Sequence, residues 1–252
     1  MVPTRIAVSV LIVLALGALP ISAGPVSHAI EFDEDGSVLF VDLDAGRVLR
    51  LREGQLSVVA DLAGKVEGDG LRNLVLSISG ELYLGQKKAV WSVDADGSLE
   101  PAKPPKELKV LFLSRPGDLA PDGSVYVARD FRNIERSLPG GDSHPVLATD
   151  MISKIHSISV TPYGRIFFSN NAEIAKLNAE GEVAILQELV GDVILGLAAQ
   201  GENTVLLLRR TEAGAFRLER LQTSGNIEVL VSAGQIAAVT KDVPVQIAPA
   251  PK

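Results

Sequence analysis

The sequence contains no cysteine, two methionines, one tryptophan and only 4% aromatic residues. Without cysteine there is no disulfide framework, no thiol nucleophile, no sulfur metal site and no lipid attachment of the bacterial lipoprotein kind. Stability must therefore come from a buried core. The scarcity of aromatics leaves no WD-type repeat signature. Helix-period apolar stripes are missing, as are H-E-x-x-H, a phosphate-binding glycine loop and a dinucleotide fingerprint. Positive charge is also scarce: 24 Lys and Arg face 31 Asp and Glu, net -7, which argues against nucleic acid as a partner.

One apolar run is present, Ile6 to Leu19, preceded by Arg5 and followed by "PISA". It is shorter than the ~20 residues that span a bilayer. The pattern predicts a cleaved secretory signal with the cut after Ala23, an uncleaved anchor being the alternative. Cleavage removes Arg5 and no acid, leaving 23 bases against 31 acids, net -8. The expected organisation is a signal peptide over 1–23, one domain over 24–248 and a flexible tail over 249–252. The expected location is secreted or periplasmic, with no membrane contact beyond targeting.

The rest of the chain repeats. Turn glycines recur at Gly36, Gly80, Gly123, Gly164 and Gly201, spaced by 44, 43, 41 and 37 residues. A second glycine follows each, at Gly54, Gly97, Gly140, Gly181 and Gly225, offset by 18, 17, 17, 17 and 24. Two markers kept in phase through five copies define an internal repeat. Each copy reads as an alternating apolar run, the first glycine, a β-rich run such as "SVLFV" or "RIFFS", a third run such as "RVLRL", the second glycine and a fourth run such as "EVAIL". Asp-Gly, Glu-Gly and Gly-Asn turns join them. Four short strands in roughly 40 residues make the blade of a β-propeller. The fold class is thus all-β, a propeller of about five four-stranded blades, with six blades as the alternative. "EPAKPPKELK" reads as an inter-blade connection. "GQIAAVTKDVPVQIA" is long enough for one or two further strands that close the first blade on the last.

The opening blade "SVLFVDLDAGRVLRL" resembles the SMP-30/gluconolactonase-like family, and the pattern "PDGSVYVA", "RVLRL", "DADGS" is similar to NHL-repeat propellers. The resemblance implies a six-bladed relative and, for its enzymes, a divalent metal, often calcium, at the channel mouth. The family holds that metal with a motif glutamate and later Asn and Asp residues. Here His28 stands at the glutamate position, and Arg72 and Asn73 stand where an Asn-Asp pair is expected, so only Asn73 carries over. A hard cation requires carboxylate oxygens. The expectation is no cofactor, with Ca²⁺ only on the alternative reading of a metal-dependent lactonase with altered ligands.

Counting from the turn glycines gives columns across the repeats. Four and six residues back, the columns are apolar or small, Gly117 among them. Eight back, alternation returns to the same face, but the column reads His28, Arg72, Arg115, His156, Val193. Six residues after the glycine stand Asp42, Gln86, Arg129 and Asn170, with Arg209 fifth after a two-residue insertion. Both columns belong at one mouth of the channel, with Asp130 and Asp192 near them. Arg72 and Arg115 are expected on adjacent inner strands. His28, Arg72, Arg115, His156, Arg129, Asn170 and Arg209 are the candidate ligand-binding residues, in an anion-attracting funnel suited to carboxylate or phosphate. The alternative role is structural, tying blades together through carbonyls and Asp. "DEDGS" and "DADGS" lack the later ligands of a calcium loop and read as turns. Whether the protein is an enzyme is left open. The expected function is a binding module for a small anionic ligand or a protein segment.

Overall fold

The computed structural model describes residues 29–246 apart from 34, 67–70, 87–88, 113–115, 149–151, 153, 179–180 and 241–244. Blade one comprises β1 (Ile30–Phe32), β2 (Val38–Asp42), β3 (Arg47–Arg52) and β4 (Gln55–Asp61). Blade two is β5 (Leu71–Leu76), β6 (Leu82–Gln86), β7 (Val90–Val93) and β8 (Leu99–Pro101), and blade three is β9 (Gly117–Leu119), β10 (Val125–Arg129), β11 (Asn133–Ser137) and β12 (Ser143–Ala148). Blade four is β13 (Ser157–Val160), β14 (Ile166–Ser169), β15 (Glu173–Leu177) and β16 (Val183–Glu188). Blade five is β17 (Val193–Ala199), β18 (Thr204–Arg210), β19 (Phe216–Gln222) and β20 (Ile227–Val231). Each blade is an antiparallel meander in chain order, and the five sheets form a five-bladed β-propeller. All ten marker glycines have positive φ, the conformation a tight turn requires there.

The leftover segment contributes no sixth blade. After β20 comes α1 (Ala233–Ala238), capped by Ser232 and Gln235 in a capping box. The chain then adds β21 (Val245–Gln246) to the outer edge of β4, making blade one five-stranded. Arg47 secures this crossing by donating to the carbonyls of Ile236 and Val239 while it pairs with Asp42. Arg210 of blade five reaches Asp44 of blade one at 2.8 Å. The tail therefore straps the last blade to the first and covers an edge that would otherwise be open.

The apolar core lies between the blades. Separate clusters join blades one, two and five, blades three and four, blades four and five, and blades two and three. In blades one, three, four and five the fourth strand carries a β-bulge against the third, at Val48/Leu49, Ile134/Glu135, Ile174/Ala175 and Leu218/Glu219. The residues passed over, Val59, Val146, Leu186 and Leu230, are all apolar and pack against those clusters. A bulge bends the strand and re-aims a side chain, so the same device is used four times to fill the space between blades.

The interface between blades two and three differs. "EPAKPPKELK" continues into a 3-10 helix, Lys106–Phe112, that packs against β5, β9 and β10. Phe112 lies where a Cβ on Gly85 would stand, 2.5 Å from its ring. A Cβ on Gly117 would come within 2.5 Å of Tyr126 O and 2.7 Å of Leu111. Gly117 is therefore the small member of an otherwise apolar column because the helix and the neighbouring strand occupy that volume. Elsewhere the inner strands are direct neighbours, β1 beside β5 and β17, and β13 beside β9 and β17.

The inner edge of these strands is stitched by polar side chains of the preceding blade. Val160 N donates to Asp118 at 2.6 Å, Leu197 N to Ser157 at 3.2 Å and Ala199 N to Ser159 at 2.9 Å. Asp118, Ser157 and Ser159 are all buried. An unpaired buried N–H is costly, which explains polar residues on strands whose other face is wholly apolar.

Candidate channel mouth

Because successive strands alternate direction, one face collects the starts of the inner strands, the turns between second and third strands, and the loops leading into the next blade. His28 and Arg115 lie outside the described residues. Arg72 lies in β5, where Leu71 pairs with Gln86 and Asn73 with Gly85. It is thus the extra residue of a bulge, and the strict alternation that put it on the face of Leu74 and Leu76 is interrupted there. The 3-10 helix packs against both β5 and β9, the strands leading from Arg72 and Arg115.

His156 is placed at the start of β13 and is buried. Its backbone N–H donates to Ser169 O at 2.7 Å, and its Nδ1 bonds Asn171 Oδ1. With that oxygen accepting, the proton sits on Nδ1, and Nε2 has no partner among the described residues. Burial lowers the His156 pKa below its ordinary value, opposed by the Asn171 hydrogen bond and aided by Lys154. The site therefore holds a neutral imidazole with one lone pair to offer.

The stability consequence has a definite sign. The folded-state pKa is the lower one, so the unfolded chain takes up the proton first as pH falls. The contribution is complete above pH 6.5, the unperturbed value, and is lost as pH falls toward and through the folded-state value. In thermal melts across that range, His156→Gln should flatten the wild-type decline just below pH 6.5. An unchanged slope would mean that His156 titrates as freely as in the unfolded chain.

The second-strand column is engaged within its own blades. Asp42 pairs with Arg47, and Arg129 Nε meets Glu135 at 3.0 Å. Asn170 Oδ1 accepts from Ala172 N and Glu173 N, and its amide donates to Glu173 at 2.6 Å. Arg209 stands between two acids, 2.9 Å from Asp192 and 2.6 Å from Glu219. Glu219 is only 1% exposed. Among the described members of the two columns, the guanidinium groups of Arg129 and Arg209 already hold carboxylates. The partners Glu135, Asn171 and Glu219 escaped the column argument because they sit on the third strand or its turn, out of phase with the markers.

Among the described residues no group of three or more His, Asp or Glu converges as a metal ion would require. Asn73, the carried-over position, is 1% exposed in β5. The described residues do not form a hard-cation site. In the Asp-Gly turns the carboxylates serve the turn itself. Asp35, Asp96 and Asp122 accept from the N–H two residues on, at 2.9 Å each. Hydrogen bonds from Ser37 and Ser124 hold Asp35 and Asp122 below the usual carboxylate range.

No family model and no curated protein matches the chain. Solved structures do. A gluconolactonase of Xanthomonas campestris aligns at 10% identity and a TM-score of 0.45, over 82% of this chain and 77% of that one. A regucalcin of Agrobacterium tumefaciens, described as calcium-binding, aligns at 16% and 0.42, over 81% and 74%. Virginiamycin B lyase of Staphylococcus aureus aligns at 16% and 0.41, over 82% and 69%. The propeller assignment rests on the blade topology.

Proposed function

We propose that the protein is an exported binding module, secreted or periplasmic, whose channel mouth takes a small anionic ligand or a protein segment without catalysis or a resident cofactor. The observation that supports this reading is His156, a buried imidazole oriented by Asn171 at the start of an inner strand, with Nε2 unpartnered among the described residues. Arg129 and Arg209 hold carboxylates of their own blades, so recognition of charge falls to His28, Arg72 and Arg115. The export signal is the apolar run Ile6 to Leu19.

The test is a titration of the protein with a panel of carboxylates and phosphates, beside melting curves with Ca²⁺ and with EDTA. A charge-assisted hydrogen bond contributes about 1.5–3 kcal/mol, so Arg72→Ala or Arg115→Ala should weaken anion binding by about tenfold or more. Affinity should fall with added salt. Lower melting temperatures with no anion affinity in wild type or either variant would end this reading. A cation held at 100 times its Kd adds about 2.7 kcal/mol of stability. A melting rise of several degrees with Ca²⁺, reversed by EDTA, would instead favour the metal-dependent lactonase.

A further inference from the structure

The backbone is fixed on both sides of the His156–Asn171 pair. Ile155 N donates to Phe131 O and His156 N to Ser169 O, each at 2.7 Å, which ties the start of β13 to blade three and to β14. Ile194 N donates to Asn171 O at 2.8 Å, which ties the turn between β14 and β15 to the start of β17. The two side chains meet between these anchors, Nδ1 bonding Oδ1.

That bond leaves a definite pattern of donors and acceptors. With the ring proton on Nδ1, Nε2 presents a lone pair, and the Asn171 NH2 presents two donors. Neither group has a partner among the described residues. His156 is only 9% exposed, yet Nε2 is not one of the polar atoms sealed from solvent. The little surface His156 keeps therefore includes Nε2, at the start of an inner strand. Burial, opposed by the Asn171 bond and aided by Lys154, keeps the ring neutral above pH 6.5.

Charge does not choose the ligand at this point of the mouth. Arg129 holds Glu135, Arg209 holds Asp192 and Glu219, and Asn170 holds Glu173. Lys154, Asp130 and Glu188 make no ion pair among the described residues, and Asp150 lies outside them. Hydrogen-bond polarity decides instead: one acceptor on a fixed frame, beside two donors. A fully deprotonated oxyanion sets an oxygen lone pair against Nε2, whereas one that keeps a proton satisfies it. A site that hydrogen-bonds an O–H rejects the analogue lacking it, because its own polar group is left unpaired.

We propose that His156 Nε2 accepts a hydrogen bond from an oxyanion that keeps a proton, hydrogen phosphate being the type, while the bare oxygens of that anion take the Asn171 NH2. Asn171 thus acts twice, as a donor and by fixing the imidazole tautomer. The inference rests on the reading of the mouth as an anion site and names which anions it takes.

Calorimetric titration of the full protein at about pH 8, where the imidazole is neutral, compares phosphate with sulfate. Both are tetrahedral dianions there, and only phosphate keeps an O–H. Phosphate should bind about tenfold tighter than sulfate or better. His156→Phe, close in size but without the lone pair, should abolish that ratio. Asn171→Leu should weaken both anions and also lower the ratio, because the ring proton is then free to occupy Nε2. Long-range 1H–15N spectra read the tautomer directly. Of the three imidazoles, His28, His144 and His156, that of His156 should hold its proton on Nδ1 in the wild type and lose that preference in Asn171→Leu. A mere loss of stability moves neither the ratio nor the tautomer. Equal affinity for phosphate and sulfate overturns the inference and leaves an anion-binding mouth standing, whereas no affinity for any anion ends both. A preference for glycolate over acetate, with none for phosphate over sulfate, assigns Nε2 to a hydroxy acid and overturns hydrogen phosphate. A phosphate preference that EDTA abolishes places a metal ion at Nε2 and overturns it as well.

Discussion

Gly97→Ala should destabilise the propeller by about 2–5 kcal/mol, more than the same change at Gly181 or Gly225. Gly97 closes the turn between β7 and β8 at φ 81°, where an L side chain costs about 1–2 kcal/mol. The larger part is steric. A Cβ there would stand 2.1 Å from Val59 O and 3.2 Å from Val59 C, and both atoms are backbone. Val59 is the bulged residue of β4, so this turn of blade two sits flush against the bulge of blade one. Lys65 Nζ donates to Leu99 O at 2.9 Å beside it. Relief requires the blades to separate, and such overpacking adds about 1–3 kcal/mol. For a domain of this size the melting temperature should fall on the order of 10 °C. Gly181 and Gly225 hold the same place in blades four and five, at φ 83° and 92°, and a Cβ added at either would meet nothing within 4 Å. Alanine there should cost only the backbone penalty. Equal losses at all three positions would show that the contact with Val59 contributes nothing.

Removing Arg209 should be as damaging, for an electrostatic reason. Its guanidinium is the hydrogen-bonding partner of Glu219, which is buried among the apolar residues joining blades four and five. Glu219 Oε2 and Arg209 Nε are both sealed from solvent without hydrogen-bond partners among the described residues. Arg209→Ala leaves a carboxylate in that space with no counter-charge, and breaking a buried pair from one side costs about 3–5 kcal/mol. The double variant Arg209→Met with Glu219→Leu should recover most of the loss, because the desolvation cost of both charges disappears with them. Urea unfolding of the two single variants and the double one gives the coupling energy directly. A single-variant loss below about 1 kcal/mol, typical of exposed pairs, would mean that the pair is hydrated.

Blade grammar was readable because its causes are short-range. The markers Gly36 to Gly201 announce turns that only a few residues define, and the run "SVLFV" declares its strand by its own side chains. Even Ser232 and Gln235, close neighbours in the chain, carry a capping box within the segment that the repeat left over. The mouth was less readable. Columns counted from glycines place residues along a strand, but the bulge at Arg72 breaks the alternation on which the count depends. They also say nothing of Glu135 or Glu219 on the third strands, which decide what Arg129 and Arg209 touch.

By itself the sequence determined the all-β class, the five blades, their turns and the apolar columns between them, because turn conformation and strand alternation are settled within a blade. Only the tertiary structure decided where the tail goes, what fills the gap between blades two and three, and which charged residues are already paired. Those outcomes depend on contacts between residues far apart in the chain. Arg47 meets Val239 across 192 positions, and Arg210 meets Asp44 across 166. Gly97 and Gly181 make the point most simply: the repeat assigns them the same turn, and the neighbouring blade alone decides that one of them has no room for a methyl group.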